Sequence, residues 1–387
     1  MDFTLDKKHE MARSLFREFA ENEVKPLAQE TDETEQFPAE TVKKMAKYGF
    51  MGIPVPKEYG GQGCDPLTYV MCVEELSKVC ATTGVVVSAH TSLCIDPIMT
   101  YGTEEQKQKY LTALASGEKL GAFGLTEPGA GTDAAMQKTV AKDEGDHWVL
   151  NGSKVFITNA QYADIFVVFA MVYRPDYKEN PYTNHDISAF IIEKGFEGFS
   201  VQGHEMKMGI RGSSTCSLYF DNCIVPKENL LGQQGKGFKV AMTTLDGGRI
   251  GIAAQAVGIA QGAINETVAY TKERVQFGKP IWKFQNTQFQ LADMQAKVDA
   301  ARLLVYRAAQ AKQDGEPHSH LAAMAKLVAS ETASDVARRC VQLVGGNGYS
   351  REYPFERHMC DAKITEIYEG TSEVQRMVIA GWLGATK

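Results

Sequence analysis

Trp148-Val149-Leu150-Asn151-Gly152-Ser153-Lys154-Val155-Phe156-Ile157 is the stretch that decides how this chain is built. Two short runs rich in β-branched and aromatic residues flank Asn-Gly, the pair that suits a type I′ turn. The stretch therefore predicts a β-hairpin turning at Asn151-Gly152. Working outward, Ile165-Phe166-Val167-Val168-Phe169, Ile187-Ser188-Ala189-Phe190-Ile191-Ile192 and Ser217-Leu218-Tyr219-Phe220 are further strand candidates bounded by turn formers. So many short runs between residues 120 and 232 predict a compact antiparallel β-barrel or sandwich.

On both sides of it the pattern is helical. Residues 5–116 carry helical periodicity, with Met11, Leu15, Phe19 and Val24 ended by Pro26, and a segment opened by Pro38 and stopped at Gly49. Ile53-Pro54-Val55-Pro56-Lys57-Glu58-Tyr59-Gly60-Gly61 is a loop. Beyond Gly237 four long helical segments follow, at 237–273, 284–313, 318–344 and 357–383, punctuated by Pro280, Gly315 with Pro317, and Gly345-Gly346-Asn347-Gly348. Four such helices with short connections predict a bundle. The fold class is thus α+β, mostly α: an α-helical domain over 1–119, a β-barrel domain over 120–232 and a four-helix bundle over 233–387.

The 387 residues suit two or three domains sharing a large core. A hydrophobic fraction of 44% with 23% charged residues is that of an ordinary globular protein, neither disordered nor fibrous. Net charge is -7 with no basic run, which argues against nucleic-acid binding. The eight cysteines include no CxxC pair and sit among apolar neighbours, so they read as reduced, mostly buried thiols with no metal site. Met1-Asp2-Phe3-Thr4-Leu5-Asp6-Lys7 lacks the features of a signal peptide or presequence, and no apolar stretch spans a membrane. The expected location is the cytoplasm, with no membrane insertion.

Five segments can carry chemistry. Gly124-Leu125-Thr126-Glu127-Pro128-Gly129-Ala130-Gly131-Thr132-Asp133 makes a tight loop whose N–H groups and hydroxyls can hold carbonyl or phosphate oxygens; an ordinary turn cluster is the alternative. It is neither a G-x-G-x-x-G fingerprint nor a P-loop. In Lys363-Ile364-Thr365-Glu366-Ile367-Tyr368-Glu369-Gly370-Thr371-Ser372-Glu373-Val374-Gln375-Arg376, the Ser372 to Gln375 spacing predicts a capping box, with a new helix from about Glu373. Glu369 then stands at a break between helices, where burial would raise its pKa toward that of a useful base; a solvated turn carboxylate is the alternative. Leu245-Asp246-Gly247-Gly248-Arg249 places two glycines inside a helix, marking a close approach or a kink. Arg274 in Glu273-Arg274-Val275-Gln276-Phe277-Gly278 suits a phosphate or plain solvent. Gln342-Leu343-Val344-Gly345-Gly346-Asn347-Gly348 is a helix terminus open to close backbone approach, or a simple glycine cap. His318-Ser319-His320 reads as an exposed loop.

Taken together and in this order, these motifs resemble the acyl-CoA dehydrogenase family over essentially the whole chain, closest to its short-chain, butyryl-CoA branch in anaerobic bacteria. The carrying segments are residues 124–133, Phe156-Ile157-Thr158, Arg274-Val275-Gln276-Phe277-Gly278, residues 342–348 and Ile367-Tyr368-Glu369-Gly370-Thr371. The resemblance implies an FAD enzyme assembled as a homotetramer, a dimer of dimers. Phe123, Leu125, Thr126, Gly131, Thr132, Phe156, Ile157 and Thr158 would face the flavin. Arg274, Phe277, Gln285, Gln342, Leu343, Gly345 and Gly346 would reach the FAD of the neighbouring subunit, and Thr371 and Glu373 would contact the adenine-side phosphates of FAD near the new helix start. Thr132, Asp246, Arg249, Tyr368 and Gly370 would meet the acyl-CoA. Glu369 would take the α-proton while the β-hydrogen leaves as hydride to flavin N5, and electrons would pass to an electron-transferring flavoprotein, or the reverse for crotonyl-CoA reduction.

Many members have Trp-Ile-Thr where this chain has Phe156-Ile157-Thr158, which keeps an aromatic face and loses the indole N–H. Other branches place the base on a different helix; here the matching positions are Gly247 and Gly248. Two other readings remain at this point: an oxygen-using acyl-CoA oxidase, and a non-catalytic helical assembly protein on the same fold.

Overall fold

The computed structural model describes residues 4–177, 179 and 182–385, so the first three residues of the N-terminal stretch read above lie outside it. Helices α1 (Lys7–Phe19), α2 (Ala28–Glu33), α3 (Ala39–Lys47), α4 (Pro66–Ser77), α5 (Ala81–Ser88), α6 (Asp96–Tyr101) and α7 (Glu104–Ala115) come first. Strands β1 (Gly121–Gly124), β2 (Val140–Asp143), β3 (His147–Thr158), β4 (Ile165–Val172), β5 (Ile187–Glu193), β6 (Phe199–Gln202), β7 (Thr215–Pro226) and β8 (Leu230–Leu231) follow. The C-terminal part holds α8 (Gly237–Glu273), a two-strand ribbon of β9 (Val275–Gln276) and β10 (Lys279–Pro280), then α9 (Gln285–Gln313), α10 (Ser319–Val344), α11 (Gly346–Tyr349), α12 (Phe355–Ile364) and α13 (Ser372–Trp382).

Local chemistry sets several of these ends. Asp65 caps α4 by accepting from Thr68 N–H ahead of Pro66, and Thr103 with Gln106 forms a reciprocal capping box on α7. The first apolar stripe differs from the sequence reading: Met11 and Leu15 are exposed, whereas Phe16 and Phe19 are buried. A π-turn over Ala20–Val24 follows, and the wider turn changes which face the following residues present.

The eight strands form one sheet in the order β6-β7-β3-β2-β4-β5-β8, with β1 beside β4. Most ladders are antiparallel; β1–β4 and β2–β4 are parallel. The sheet curls over its own apolar interior, since Trp148 and Phe190 pack edge to face, as do Phe166 and Phe199, across strands far apart in the sheet order. The predicted hairpin at Asn151-Gly152 is absent. β3 runs straight through both residues and pairs along its length with β7, with a register shift between Leu150 and Gly152. The extra residue is on β7, where Asp221 and Asn222 (φ 50°) stand against Asn151 alone, and Gly152 (φ 145°) is paired to Phe220, so the long ladder to β7 overrides the local turn preference.

The outer face of β4 packs on α7 and the start of α8, while the N-terminal helices and the C-terminal bundle share a single core. The long α8 lies close to α4: a Cβ at Gly258 would come within 2.4 Å of Glu74 O, so only glycine permits that approach. The fourth bundle segment, expected as one helix over 357–383, is two, α12 and α13, broken at residues 365–371. His318 to His320 form the N-cap and first turn of α10 rather than a loop, half-buried, with His320 stacked on Trp382.

Candidate active site

The break between α12 and α13 is where the chemistry concentrates. α12 ends at Ile364, a series of turns carries on to Tyr368, whose N–H reaches Ile364 O, and the chain then reverses through Glu369 (φ 54°) and Gly370 (φ 94°). A left-handed glutamate is uncommon and costs about 1–3 kcal/mol, so the surroundings must enforce it. They do. Gln375 Nε2 donates to Gly370 O at 2.8 Å and to Glu369 O at 3.3 Å, and Lys326 Nζ donates to Gly370 O at 2.6 Å. Tyr368 donates its hydroxyl to Gln255 Oε1, and Gln255 Nε2 in turn binds Ala81 O at 3.0 Å. The helix cap differs from the predicted box: Thr371, not Ser372, caps α13 by accepting from Val374 N–H, because the Gln375 side chain is committed to the carbonyls behind it.

With its carbonyls tied on one side, Glu369 turns its carboxylate to the other. A Cβ at Gly248 would lie 2.0 Å from Glu369 Oε2 and 2.9 Å from Leu93 Cδ2, so the glycine in α8 is what leaves room for the acid. Oε2 is cut off from solvent and has no hydrogen-bond partner. Burial pushes the carboxyl up to about 7, against the pull of Lys326 and Arg249; desolvation wins. Neither the Glu369 nor the Gly370 N–H finds a backbone acceptor among the described residues. Arg249 is buried, donates to Asp246 Oδ1 at 2.6 Å, and leaves its Nε unpaired; Asp246 also accepts from Ser319 Oγ at 3.0 Å.

Beside this wall lies a cavity of about 170 Å³ lined by Tyr69, Thr91, Ser92, Asp96, Gly247 and Lys312, among others. Thr91 and Ser92 precede the Leu93 that touches the carboxylate site. The same segment, Ala89–Ile95, is bound to the sheet through His90 Nδ1, which accepts from Gly121 N–H at 2.9 Å.

Gly121 opens β1, and the loop after β1 is pinned from beneath. Glu127 and Ala130 exchange two backbone hydrogen bonds at 3.1 Å. The Glu127 carboxylate accepts from Lys138 N–H, Thr139 N–H and the fully buried Lys154 Nζ, the last at 2.7 Å. Gly131 and Thr132 are left exposed, and a Cβ at Gly129 or Gly131 would meet nothing within 4 Å. Phe123 and Thr126 are half-buried and Leu125 buried behind them. Phe156 stands out from a second bulge, this one in β3, between Lys154 and Ile157, at φ 59° and 64% exposed; Ile157 is buried and Thr158 half-buried. The result is a strained, exposed aromatic face beside an open glycine loop.

The remaining sequence-derived positions lie elsewhere. Arg274 is the C-cap of α8, about 40 Å along that helix from Gly248 at about 1.5 Å per residue. Phe277 projects from the β9–β10 ribbon, 95% exposed at φ 51°. Gln285 opens α9, Gln342 and Leu343 lie in the last turn of α10, Gly345 is its C-cap and Gly346 opens α11, where Asn347 Nδ2 binds Tyr270 OH at 2.9 Å. A groove of about 390 Å³ there is lined by Asn286, Gln290, Arg339, Gln342 and Leu343 among others. The chain thus brings Tyr368, Glu369, Gly370 and Thr371 together with Asp246 and Arg249, and holds Arg274 far from them. Glu373 is exposed on the first turn of α13.

Sequence reading missed Lys326, Gln375 and Gln255; the close approach it expected at Gly247-Gly248 is there, made by the Glu369 carboxylate against Gly248. Lys326 did leave a signal. It is the one charge in Leu321-Ala322-Ala323-Met324-Ala325-Lys326-Leu327-Val328-Ala329, on the same face as buried Ala322 and Ala329.

Comparison with known proteins agrees with this arrangement. Residues 6–118, 122–223 and 235–384 match the N-terminal, middle and C-terminal domain models of acyl-CoA dehydrogenase. The chain is 61% identical over 381 residues to the short-chain specific acyl-CoA dehydrogenase of Clostridium acetobutylicum, covering 98% of this chain and 99% of that one. It superposes with a TM-score of 0.95 on butyryl-CoA dehydrogenase from Megasphaera elsdenii, at 50% identity over 99% of this chain and 100% of that one. A chain solved under the description "Electron transferring flavoprotein of Acidaminococcus fermentans: Towards a mechanism of flavin-based electron bifurcation" gives a TM-score of 0.96 and 53% identity, covering 99% of this chain and 100% of that one.

Proposed function

The chain belongs to the acyl-CoA dehydrogenase family, and from that premise we propose that it α,β-dehydrogenates short acyl-CoA thioesters, butyryl-CoA to crotonyl-CoA or the reverse, with Glu369 as the α-proton base. One observation carries the assignment: a buried carboxylate oxygen without a partner, facing a gap kept open by Gly248. FAD, the family's cofactor, supplies the hydride acceptor when bound.

The residues of this chain do the rest. An α C–H beside a thioester is a weak acid, and a carboxylate held near about 7 is a far stronger base than one at its ordinary value. The unengaged Glu369 N–H is placed to donate to the thioester oxygen as negative charge develops there. Arg249, fixed by Asp246, keeps a positive charge against the same wall, and Tyr368 and Gly370 hold the turn that carries the base. Leu125, Thr126, Gly131 and Thr132, with Phe156, Ile157 and Thr158, would hold the flavin in the same subunit, with Phe123 behind them. Arg274, Phe277, Gln285, Gln342, Leu343, Gly345 and Gly346 would serve a neighbour's FAD, in a homotetramer. The separation of Arg274 from Gly248, about 40 Å along α8, and the exposure of the group apart from half-buried Leu343 support that division. Short acyl length and exchange of electrons with an electron-transferring flavoprotein rest on the relatives named above.

Anaerobic mixing of the FAD-loaded protein with C4, C6 and C8 acyl-CoAs tests the reading by loss of flavin absorbance. C4 should react fastest. Glu369→Gln should retain FAD yet react about 10³-fold more slowly; a variant within tenfold of the parent would mean another base.

A further inference from the structure

Lys326 lies on the face of α10 that packs against α8, among Ala322, Ala325, Ala329 and Ala333, with no exposed surface. A buried ammonium is costly unless a carboxylate pairs with it, and among the described residues no carboxylate oxygen lies within 4.0 Å of Lys326 Nζ. Its hydrogen bond goes instead to the carbonyl of Gly370, directly after the base, at 2.6 Å. The charged groups facing it are Glu369 and Glu366 on the turn, Glu373 on α13 and Arg249 on α8. Those facing Glu369 are Lys326 and Arg249, with the hydroxyls of Tyr69 on α4 and Tyr368 close by.

We propose that Lys326 is a positioning residue for proton abstraction: its bond to Gly370 O fixes the left-handed turn that aims Glu369 into the gap at Gly248, and its charge, kept out of contact with the carboxylate, favours the ionised form without capping it. This rests on Glu369 being the base. The withheld contact is the essential feature. Where buried Glu75 is touched directly by Lys78, Arg17 and Arg13, it is pulled down to about 2 and is useless as a base. At Glu369 burial outweighs the more distant cations, leaving it at about 7. Burial also brings Lys326 down to about 8, so at neutral pH it still carries its proton.

Lys326→Gln keeps a donor for the Gly370 carbonyl and removes the charge; Lys326→Met removes both; Gln375→Met removes a neutral donor to the same carbonyls and leaves the charge. The Glu369 carboxyl is titrated in the FAD-loaded, substrate-free protein by infrared difference spectroscopy, its band assigned by loss in Glu369→Gln, and flavin reduction by butyryl-CoA is followed against pH. In Lys326→Gln the midpoint should rise from about pH 7 to about pH 8 or above, slowing the reaction about 5-fold at pH 7 with recovery at higher pH. Lys326→Met should show the same rise with a further loss recovered at no pH, and Gln375→Met a loss without any rise. A folded Lys326→Gln with the parental midpoint overturns the proposal. So does a Gln375→Met midpoint raised to pH 8, a result that holds even if neither Lys326 variant folds. Full reactivity of Glu369→Gln would instead sink the assignment of the base.

Discussion

Two buried Glu–Lys neighbourhoods stand at opposite sides of this site, and they are built to opposite ends. In the loop after β1, Glu127 meets Lys154 Nζ directly at 2.7 Å and takes two backbone N–H groups as well, so its proton affinity is lowered in spite of burial. At the α12–α13 turn, Glu369 has a lysine nearby that is spent on a carbonyl, and its Oε2 has nothing. Burial is common to both. What separates the two is whether hydrogen-bond donors reach the carboxylate.

The sharpest way to break that contrast is to remove the charge from each acid. Glu127→Gln leaves the Lys154 ammonium buried with neutral acceptors alone: the Leu125 carbonyl, Gln137 Oε1 and the new amide oxygen. Removing one member of a buried pair costs about 3–5 kcal/mol, so this variant should melt far below the parent, and Glu127→Gln/Lys154→Met should recover most of the loss. Thermal unfolding decides it. A single variant as stable as the parent would show that the loop is not held by this pair.

Glu369→Gln should do the reverse, and pH gives the sign. The folded carboxyl, raised from 4.5 to about 7, binds its proton more tightly than the unfolded one. The stability this contributes is fully present below about pH 4.5 and is lost as pH rises through about 7. An amide is indifferent to that change. The variant should therefore match the parent in acid and exceed it at pH 8 by about 3 kcal/mol at most. Equal melting temperatures at both pH values would mean that the carboxylate is not strained by its burial. For Glu127 the dependence is opposite: its contribution is present above the ordinary carboxylate range and falls away in acid.

Sequence patterns made some of this contrast legible and hid the rest. Gly370 and the apolar Ile367-Tyr368 placed Glu369 at a break between helices, and the break is there. Local preference failed where a distant strand or helix took over. Asn151-Gly152 favours a turn in isolation, yet Gly152 is paired to Phe220 in β7. Ser372 and Gln375 have the spacing of a capping box, yet Gln375 turns back to carbonyls five and six residues earlier. Lys326 could be seen as an oddity on an apolar face, but its acceptor lies 44 residues on, and no local pattern specifies it. The loop glycines and Phe156 were singled out through a family pattern, because neither open space nor positive φ is written in residue type alone.

Gln375 offers the smallest and most selective probe of the turn. Its Nε2 serves two carbonyls of the left-handed pair, while its Oε1 is buried without a partner. Gln375→Met keeps the length of the side chain, removes both donated bonds and also removes the unpaired acceptor. Two neutral hydrogen bonds contribute about 0.5–1.5 kcal/mol each, and deleting the orphaned oxygen offsets part of their loss. The net cost should therefore be about 1–2 kcal/mol in thermal or denaturant unfolding, well below that of Glu127→Gln. Lys326 still grips Gly370 O in this variant, so the turn should loosen without coming apart. A loss as large as that at Glu127 would show that the amide, rather than the lysine, is the principal restraint on the base.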